Sequence, residues 1–324
     1  MRRRGFIAAV GGTAAATAFG PLMGRAQQPA MRRVGVLVVG KPDPEPFWRQ
    51  FRKGLRDLGY IEGQNILFEY RTADGKADIL PKLAAELVTL KVEIIVTWQT
   101  PATTAAKQAT NEIPIVMADS GDPVGTGLVA SLARPGGNVT GMAGVTPELA
   151  AKSLELIREM MPSARHVAAL CNATDPFSKP FIAYIERAAS TEGIEIKIFM
   201  VQEGEELDTA FAPLSKAAID ALIVQPSLPI KRAAELALMH RLPAVSVSRS
   251  FAEAGGLMSY SPRQGDLYRQ AAGYVDKILR GAKPSDLPVQ QPTNFELVIN
   301  LKTAKALELK IADTLLFTAD ELIK

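Results

Sequence analysis

Residues 119–146 read DSGDPVGTGLVASLARPGGNVTGMAGVT, and the fold follows from how that stretch divides. A short apolar run, 115–118, ends in Asp119-Ser-Gly-Asp-Pro, a strand end passing into turn residues. Asp122 is placed to cap a helix over the GLVASLA pattern that begins at Gly127. Arg134-Pro-Gly-Gly stops that helix, because proline cannot continue it and glycine accepts positive φ. Asn138-Val-Thr-Gly-Met is β-prone. One run of alternating strands and helices precedes the stretch and a second run follows it. The stretch is therefore the last strand, last loop and exit of a first lobe.

Upstream, Val34-Gly-Val-Leu-Val-Val is a continuous apolar run of the kind found in parallel strands covered on both faces. Phe47, Phe51, Leu55 and Leu58 recur at helical spacing until Gly59 ends the helix. Strands at 66–70 and 94–97 and helices over 80–88 and 102–109 complete a β-α-β-α order. Downstream the rhythm repeats: helices over 148–161 and 181–189, and strands at 167–170, 194–201, 222–224 and 244–247. A short strand over 255–262 leads into a long helix over 264–280. The extended Pro284-Ser-Asp-Leu-Pro-Val-Gln-Gln-Pro follows, then a strand at 296–300 and a helix over 302–309. This order predicts an α/β fold of two lobes, each a doubly wound, mainly parallel sheet. The first lobe is expected to span 32–144 plus about 261–284, the second 145–260 plus about 285–324. Crossings near 141–145, near Tyr260 and within 284–292 would form a hinge. Val92-Glu-Ile-Ile-Val-Thr-Trp-Gln-Thr-Pro is echoed by Ile219-Asp-Ala-Leu-Ile-Val-Gln-Pro, each followed by a helix and then by an apolar-Pro-apolar strand start. Both lobes thus use one βαβ module, or simply resemble each other as any two such units do.

Residues 1–26 combine Arg2-Arg3-Arg4, a weakly apolar Ala/Gly-rich run and Gly24-Arg25-Ala26, the three parts of an export signal cleaved after about Ala26. Paired arginines ahead of such a run suggest the twin-arginine route. Gly11, Gly12, Gly20 and Pro21 leave the run too weakly apolar to hold a membrane span. The segment carries four arginines and no acid, so the formal charge of +3 becomes 3 − 4 = −1 without it. No basic, aromatic-interleaved surface remains, which argues against a nucleic-acid partner. The single cysteine, Cys171, excludes an intrachain disulfide and reads as a buried strand thiol. No cysteine stands at the cleavage site to take a lipid. The expected location is the periplasm.

Catalytic readings fail on residue supply. The two histidines, His166 and His240, abut a strand and end a helix, and neither has a nucleophile-elbow sequence to serve. Gly40-Lys-Pro-Asp-Pro lacks the glycine spacing of a dinucleotide site, there is no phosphate loop, and no His/Cys spacing suits a metal. Neither an enzyme nor a cofactor is expected. What the chain does have is polar and aromatic residues gathered at strand C-terminal ends, where doubly wound sheets bind ligands. The candidates are Asp43, Phe47 and Trp48; Thr97, Gln99, Thr100 and Thr103; Asp119 and Asp122; Asn172 and Asp175; Gln225 and Ser227; Ser248 and Phe251; and Tyr260. Any one of them also reads as a helix cap or turn; six strand ends around one cleft, Tyr260 apart, do not. In the sharpest version, Pro101 opens a helix whose amides at Ala102, Thr103 and Thr104 meet a ligand carboxylate, with hydroxyls from Thr97 or Thr100. Asp122 then meets an amine, and Phe47, Trp48 or Phe251 covers an apolar side chain.

The leader, Phe51-Arg-Lys-Gly-Leu, Leu58-Gly-Tyr-Ile-Glu-Gly-Gln-Asn, Ile113-Pro-Ile-Val, Asp122-Pro-Val, Arg134-Pro-Gly-Gly-Asn-Val-Thr-Gly, Leu287-Pro-Val-Gln-Gln-Pro and Asn300-Leu-Lys-Thr-Ala-Lys-Ala-Leu together cover nearly the whole chain. This set resembles the periplasmic substrate-binding proteins of ABC importers, in the branch that includes the tryptophan-binding type. The resemblance implies a two-lobed type I periplasmic binding fold, monomeric, that closes on a small amino-acid-like or aromatic carboxylate ligand and docks on an inner-membrane ABC permease. A periplasmic ligand-sensing module for a membrane receptor would use the same fold. A cytoplasmic repressor would need a DNA-binding helix pair where the leader stands.

Overall fold

The computed structural model describes residues 31–40, 45–201 and 204–324. The leader expected over 1–26 and the candidate Asp43 lie outside them.

The first lobe runs β1 (Arg32–Val38), α1 (Glu45–Asp57), β2 (Ile66–Thr72), α2 (Leu80–Thr89), β3 (Ile94–Trp98), α3 (Thr100–Ala109), β4 (Ile115–Ser120) and β5 (Val139–Ala143). Its strands lie in the order β2-β1-β3-β4-β5, all parallel. The apolar runs are continuous because both faces are covered. Phe47, Phe51 and Leu55 of α1 form the core on one face with Val34, Val36, Ile94 and Val96. Leu80, Ala84 and Leu87 of α2 and Ala102 and Ala106 of α3 fill the other against Leu37, Ile95 and Met117.

The second lobe runs α4 (Pro147–Met160), β6 (His166–Asn172), α5 (Ser178–Glu192), β7 (Glu195–Val201), α6 (Gly204–Lys216), β8 (Ala221–Val224), α7 (Ile230–Met239), β9 (Ala244–Ser246), α8 (Arg249–Glu253) and β10 (Met258–Pro262). After it come α9 (Gln264–Leu279), β11 (Phe295–Asn300), α10 (Leu301–Ala306), α11 (Asp313–Thr318) and β12 (Glu321–Ile323). The second sheet has the order β12-β11-β10-β9-β8-β6-β7, parallel except where β10 meets β11. Cys171 is fully buried in β6, and burial pushes its thiol up to about 12. The echo between the lobes corresponds to β3-α3-β4 in the first and β8-α7-β9 in the second.

Three segments join the lobes. Residues 144–146 leave β5 for α4, and Arg263 passes from β10 into α9. Helix α9 belongs with the first sheet: Leu267, Tyr268, Ala271 and Val275 enter the core under α1. The third crossing lies later than the sequence suggests. Residues 284–290 stay with the first lobe, since Thr140 Oγ1 donates to Leu287 O at 2.6 Å and Ala143 N to Gln290 O at 2.8 Å. Val289 is buried there, and that apolar anchor moves the crossing to 291–294. Arg263 N donates to Asn294 O at 3.0 Å, tying two crossings together.

The helix expected over the GLVASLA pattern does not form. Asp122 has φ +28° and Gly127 φ +71°, so the chain turns twice where a helix would need negative φ throughout. Leu128 and Val129 are nevertheless buried, and Lys107 Nζ takes the carbonyls of Gly127 and Leu128 at 2.6 and 3.0 Å in place of a helical ladder. The apolar spacing reported burial, not helix. Helices α6 and α11 and strand β12 have no counterpart in the sequence reading; the first contains Pro213 and the others are short.

Gly141 in β5 has φ +123°, and a Cβ there would lie 2.3 Å from Met117 O. Gly141→Ala should lower stability by about 2–5 kcal/mol through strain and overpacking against β4. Chemical denaturation checks this; an unchanged midpoint would contradict the close approach.

Candidate functional site

The carboxyl ends of both sheets open on one cleft of about 1080 Å³ between the lobes. That is slightly above the usual range for small-molecule sites. The first lobe supplies the ends of β1, β3 and β4 with Trp98, Gln99, Thr100, Asp119 and Gly121. The second supplies the ends of β6, β8 and β9 with Asn172, Asp175, Phe177, Ser227 and Ser248; Gln264 closes the hinge side.

The lobes are closed on one another. The Tyr184 hydroxyl of α5 donates to the Asp122 carboxylate, and Gln99 Nε2 donates to Pro226 O at 3.4 Å. The Phe177 ring packs on Gly121, where a Cβ would come within 2.5 Å of it.

The end of β4 organises the first-lobe side. Asp119 O accepts Gln99 N at 2.8 Å, which helps hold Gln99 at φ +72° as α3 begins. Under the first turn of α3 the hydroxyls of Thr97, Thr103 and Ser120 form a buried chain with both links at 2.8 Å. Thr100 Oγ1 accepts Gly121 N at 3.0 Å. Helix geometry leaves the Thr100 and Ala102 amides without an intrahelical acceptor, so the positive end of α3 faces the cleft. The Thr103 amide is already used, donating to Gln99 O at 3.2 Å.

Trp98 was absent from the sequence candidates. It stacks on Phe47 with centroids 5.8 Å apart and meets Tyr268 edge-on at 6.4 Å. Its Nε1 is buried without a hydrogen-bond partner. The signal for it was its place at the end of β3, one residue after Thr97. Across the cleft, Phe177 and the buried but unpartnered hydroxyl of Ser227 complete a lining that is part apolar and part hydrogen-bonding.

In the second lobe Gln225 is a hub. Its Oε1 accepts Asn172 N and Ser178 Oγ, each at 2.8 Å, and its Nε2 donates to Asp175 Oδ2 at 3.0 Å. Asp175 Oδ1 accepts Phe177 N at 2.9 Å. Burial raises the Asp175 pKa against these hydrogen bonds.

Of the sequence candidates the cleft brings together Gln99, Thr100, Asp119, Asn172, Asp175, Ser227 and Ser248. Thr97, Thr103 and Gln225 lie one layer behind as supports. Asp122 does not face the cleft: its two carboxylate oxygens take Gly125 N and the Tyr184 hydroxyl. Phe47 is fully buried behind Trp98. Trp48, the next residue on α1, points the other way, onto Phe68 and Tyr70 of β2 with Arg52 over its ring. Phe251 is buried in the second-lobe core. Tyr260 stacks on Phe295 at 5.8 Å, because strand alternation sends it to the face opposite Ser259 and Ser261.

Asp119 is a largely buried carboxylate of the cleft lining. A Cβ on Gly144 would lie 1.6 Å from its Oδ1, so only glycine there leaves room for the carboxylate. Burial raises its pKa from 3.8 to about 6, against the opposing pull of Gln264 and the Trp98 indole. Tyr268 is the buried titratable neighbour. A carboxyl raised on folding adds stability when protonated and loses it as pH rises through the folded value. Without ligand, Asp119→Asn should therefore be more stable than the parent at pH 7.5, by up to about 3 kcal/mol. The gap should vanish near pH 4. Denaturation at both pH values measures it, and a gap independent of pH would contradict a desolvated carboxylate.

With the geometry in place, three comparisons locate the chain. Residues 36–323 match the family model described as ABC transporter substrate binding protein. A tyrosine-binding protein of Clostridioides difficile (strain R20291) is 28% identical over 279 residues, covering 84% of this chain and 79% of that one. The crystal structure of an ABC domain in complex with L-Trp from Streptococcus pneumonia is 27% identical, with a TM-score of 0.84 over 91% of this chain and 100% of the other. A conserved domain protein of Vibrio cholerae, also 27% identical, has a TM-score of 0.85 over 90% and 99%. The chain belongs to the ABC transporter substrate binding protein family, solute-binding proteins rather than enzymes, and has its two-lobed type I periplasmic binding fold.

Proposed function

We propose that the protein captures a free amino acid with an aromatic or other large apolar side chain and delivers it to an ABC permease in the inner membrane. It works as a periplasmic monomer after export. The observation that carries this is the pairing of unlike surfaces in one closed cleft. The positive end of α3 faces a space bounded by Trp98 from one lobe and Phe177 from the other. The helix end suits a ligand carboxylate, and the ring faces suit an apolar side chain. The buried Trp98 Nε1, beside Asp119, and the Ser227 hydroxyl, beside Asp175, can turn hydrogen bonds to a polar ligand. Relatives that bind tyrosine and L-Trp support the same class. The leader pattern over 1–26 supports export.

Two measurements test this. Thermal shift of the purified protein against amino acids, aromatic acids, sugars and short peptides should single out aromatic amino acids. Stabilisation should grow as RT ln(1 + [L]/Kd), with the ligand recovered unchanged. Selective stabilisation by a sugar, or chemical conversion of the hit, would refute the reading. For export, mass spectrometry of the protein from the periplasmic fraction should find a chain beginning near Gln27; an intact Met1 in the membrane fraction would contradict it.

A further inference from the structure

Resting on the amino-acid reading above, we propose that Asp119 restricts the cleft to ligands carrying a protonated amine. Among the described residues its carboxylate has no cation to compensate it, and it takes that cation from the ligand.

The placement of Asp119 is built rather than incidental. Its backbone carbonyl is fixed by Gln99 N, and its Oδ1 occupies space that a Cβ on residue 144 would fill. The side chain keeps part of its surface on the cleft. No ion pair to it exists among the described residues. The groups beside it are neutral: the Gln264 amide, the Trp98 indole and, behind them, Tyr268. Both donors lie close enough to favour its ionised form in part, and neither brings a positive charge. An ionised carboxylate in such a setting is costly until a charge partner arrives.

Asp175, the other carboxylate on the cleft, differs. Both its oxygens are engaged, by Phe177 N and Gln225 Nε2, so its role is to hold the second-lobe loops. The basic side chains of the cleft do not serve Asp119 either. Arg232 is paired with Asp208 and Glu235, while Lys76 and Lys231 are exposed. A ligand with a carboxylate but no amine would gain the α3 helix end and meet Asp119 with nothing to offset it. An ammonium beside Asp119 turns that repulsion into a buried, charge-assisted pair. The discrimination is thus against deaminated analogues of the same shape, which ring contacts alone cannot distinguish.

The test pairs L-tryptophan with indole-3-propionate, and L-tyrosine with 3-(4-hydroxyphenyl)propionate, by calorimetric titration of the exported chain. The parent protein should favour each amine-bearing ligand by about 100-fold or more. Asp119→Asn should weaken the amino acid by about 100-fold, leave the analogue unchanged or tighter, and so collapse the preference. Asp119→Ser, which also removes the charge, should repeat the pattern. Preserved preference in both folded variants would overturn the proposal, as would equal loss of both ligands. Failure of the aromatic reading is visible separately, since then neither amino acid binds the parent protein. The ligand found by the broader screen decides the matter in that case. An amine-bearing ligand weakened by Asp119→Asn upholds the role of Asp119, and a tight ligand without an amine refutes it.

Discussion

The hydrogen bond from Gln99 N to Asp119 O holds the end of β3 to the end of β4, and the binding face of the first lobe is arranged around it. It spans two parallel strands at the point where both leave the sheet. Gln99 is thereby kept at positive φ, which turns the chain at once into α3 and aims the helix start at the cleft. Ser120 O takes Gly144 N at 2.8 Å, so the same strand end also sets the first hinge segment. Ser120 Oγ joins the hydroxyl chain under α3, and Gly121 donates to Thr100 and lies against Phe177 of the other lobe. Four consecutive positions, Asp119 to Asp122, thus connect sheet, helix start, hinge and lobe contact.

The large features were legible because they depend on repeating patterns. Continuous apolar runs gave the parallel strands, and 3.6-residue spacing gave α1, α2 and α4, since these elements are stabilised by the faces they bury. Residues at strand ends gathered in the cleft because topology alone puts them there. What failed depended on local dihedrals or on side-chain direction. Leu128 and Val129 have helical spacing and are buried, but positive φ at Asp122 and Gly127 leaves them in turns. Phe47 and Trp48 are adjacent, yet one supports Trp98 and the other covers β2, and spacing does not say which face of α1 looks to the cleft. Asp119 and Asp122 looked equivalent in the sequence. Tyr184, 62 positions beyond Asp122, occupies its carboxylate and leaves Asp119 as the one facing the ligand space. Only long-range contacts separate the two.

The closed arrangement relates this polarity to transport. Among the described residues the lobes meet through a tyrosine on a carboxylate, an amide on a carbonyl and a ring on a glycine. A ligand shifts the equilibrium between open and closed forms only by its differential affinity for the closed form. A ligand bridging the α3 end, Asp119 and the facing rings makes contacts that exist only when the lobes meet. On the proposed function, binding and closure are coupled, and opening would release the ligand by breaking the same contacts.

The most direct test is a crystal structure of the protein with its captured ligand. The account predicts electron density between Trp98 and Phe177, a carboxylate against the start of α3 and an ammonium within hydrogen-bonding distance of Asp119. Density outside the interlobe cleft, or a bound ligand that leaves Asp119 unpaired, would contradict it.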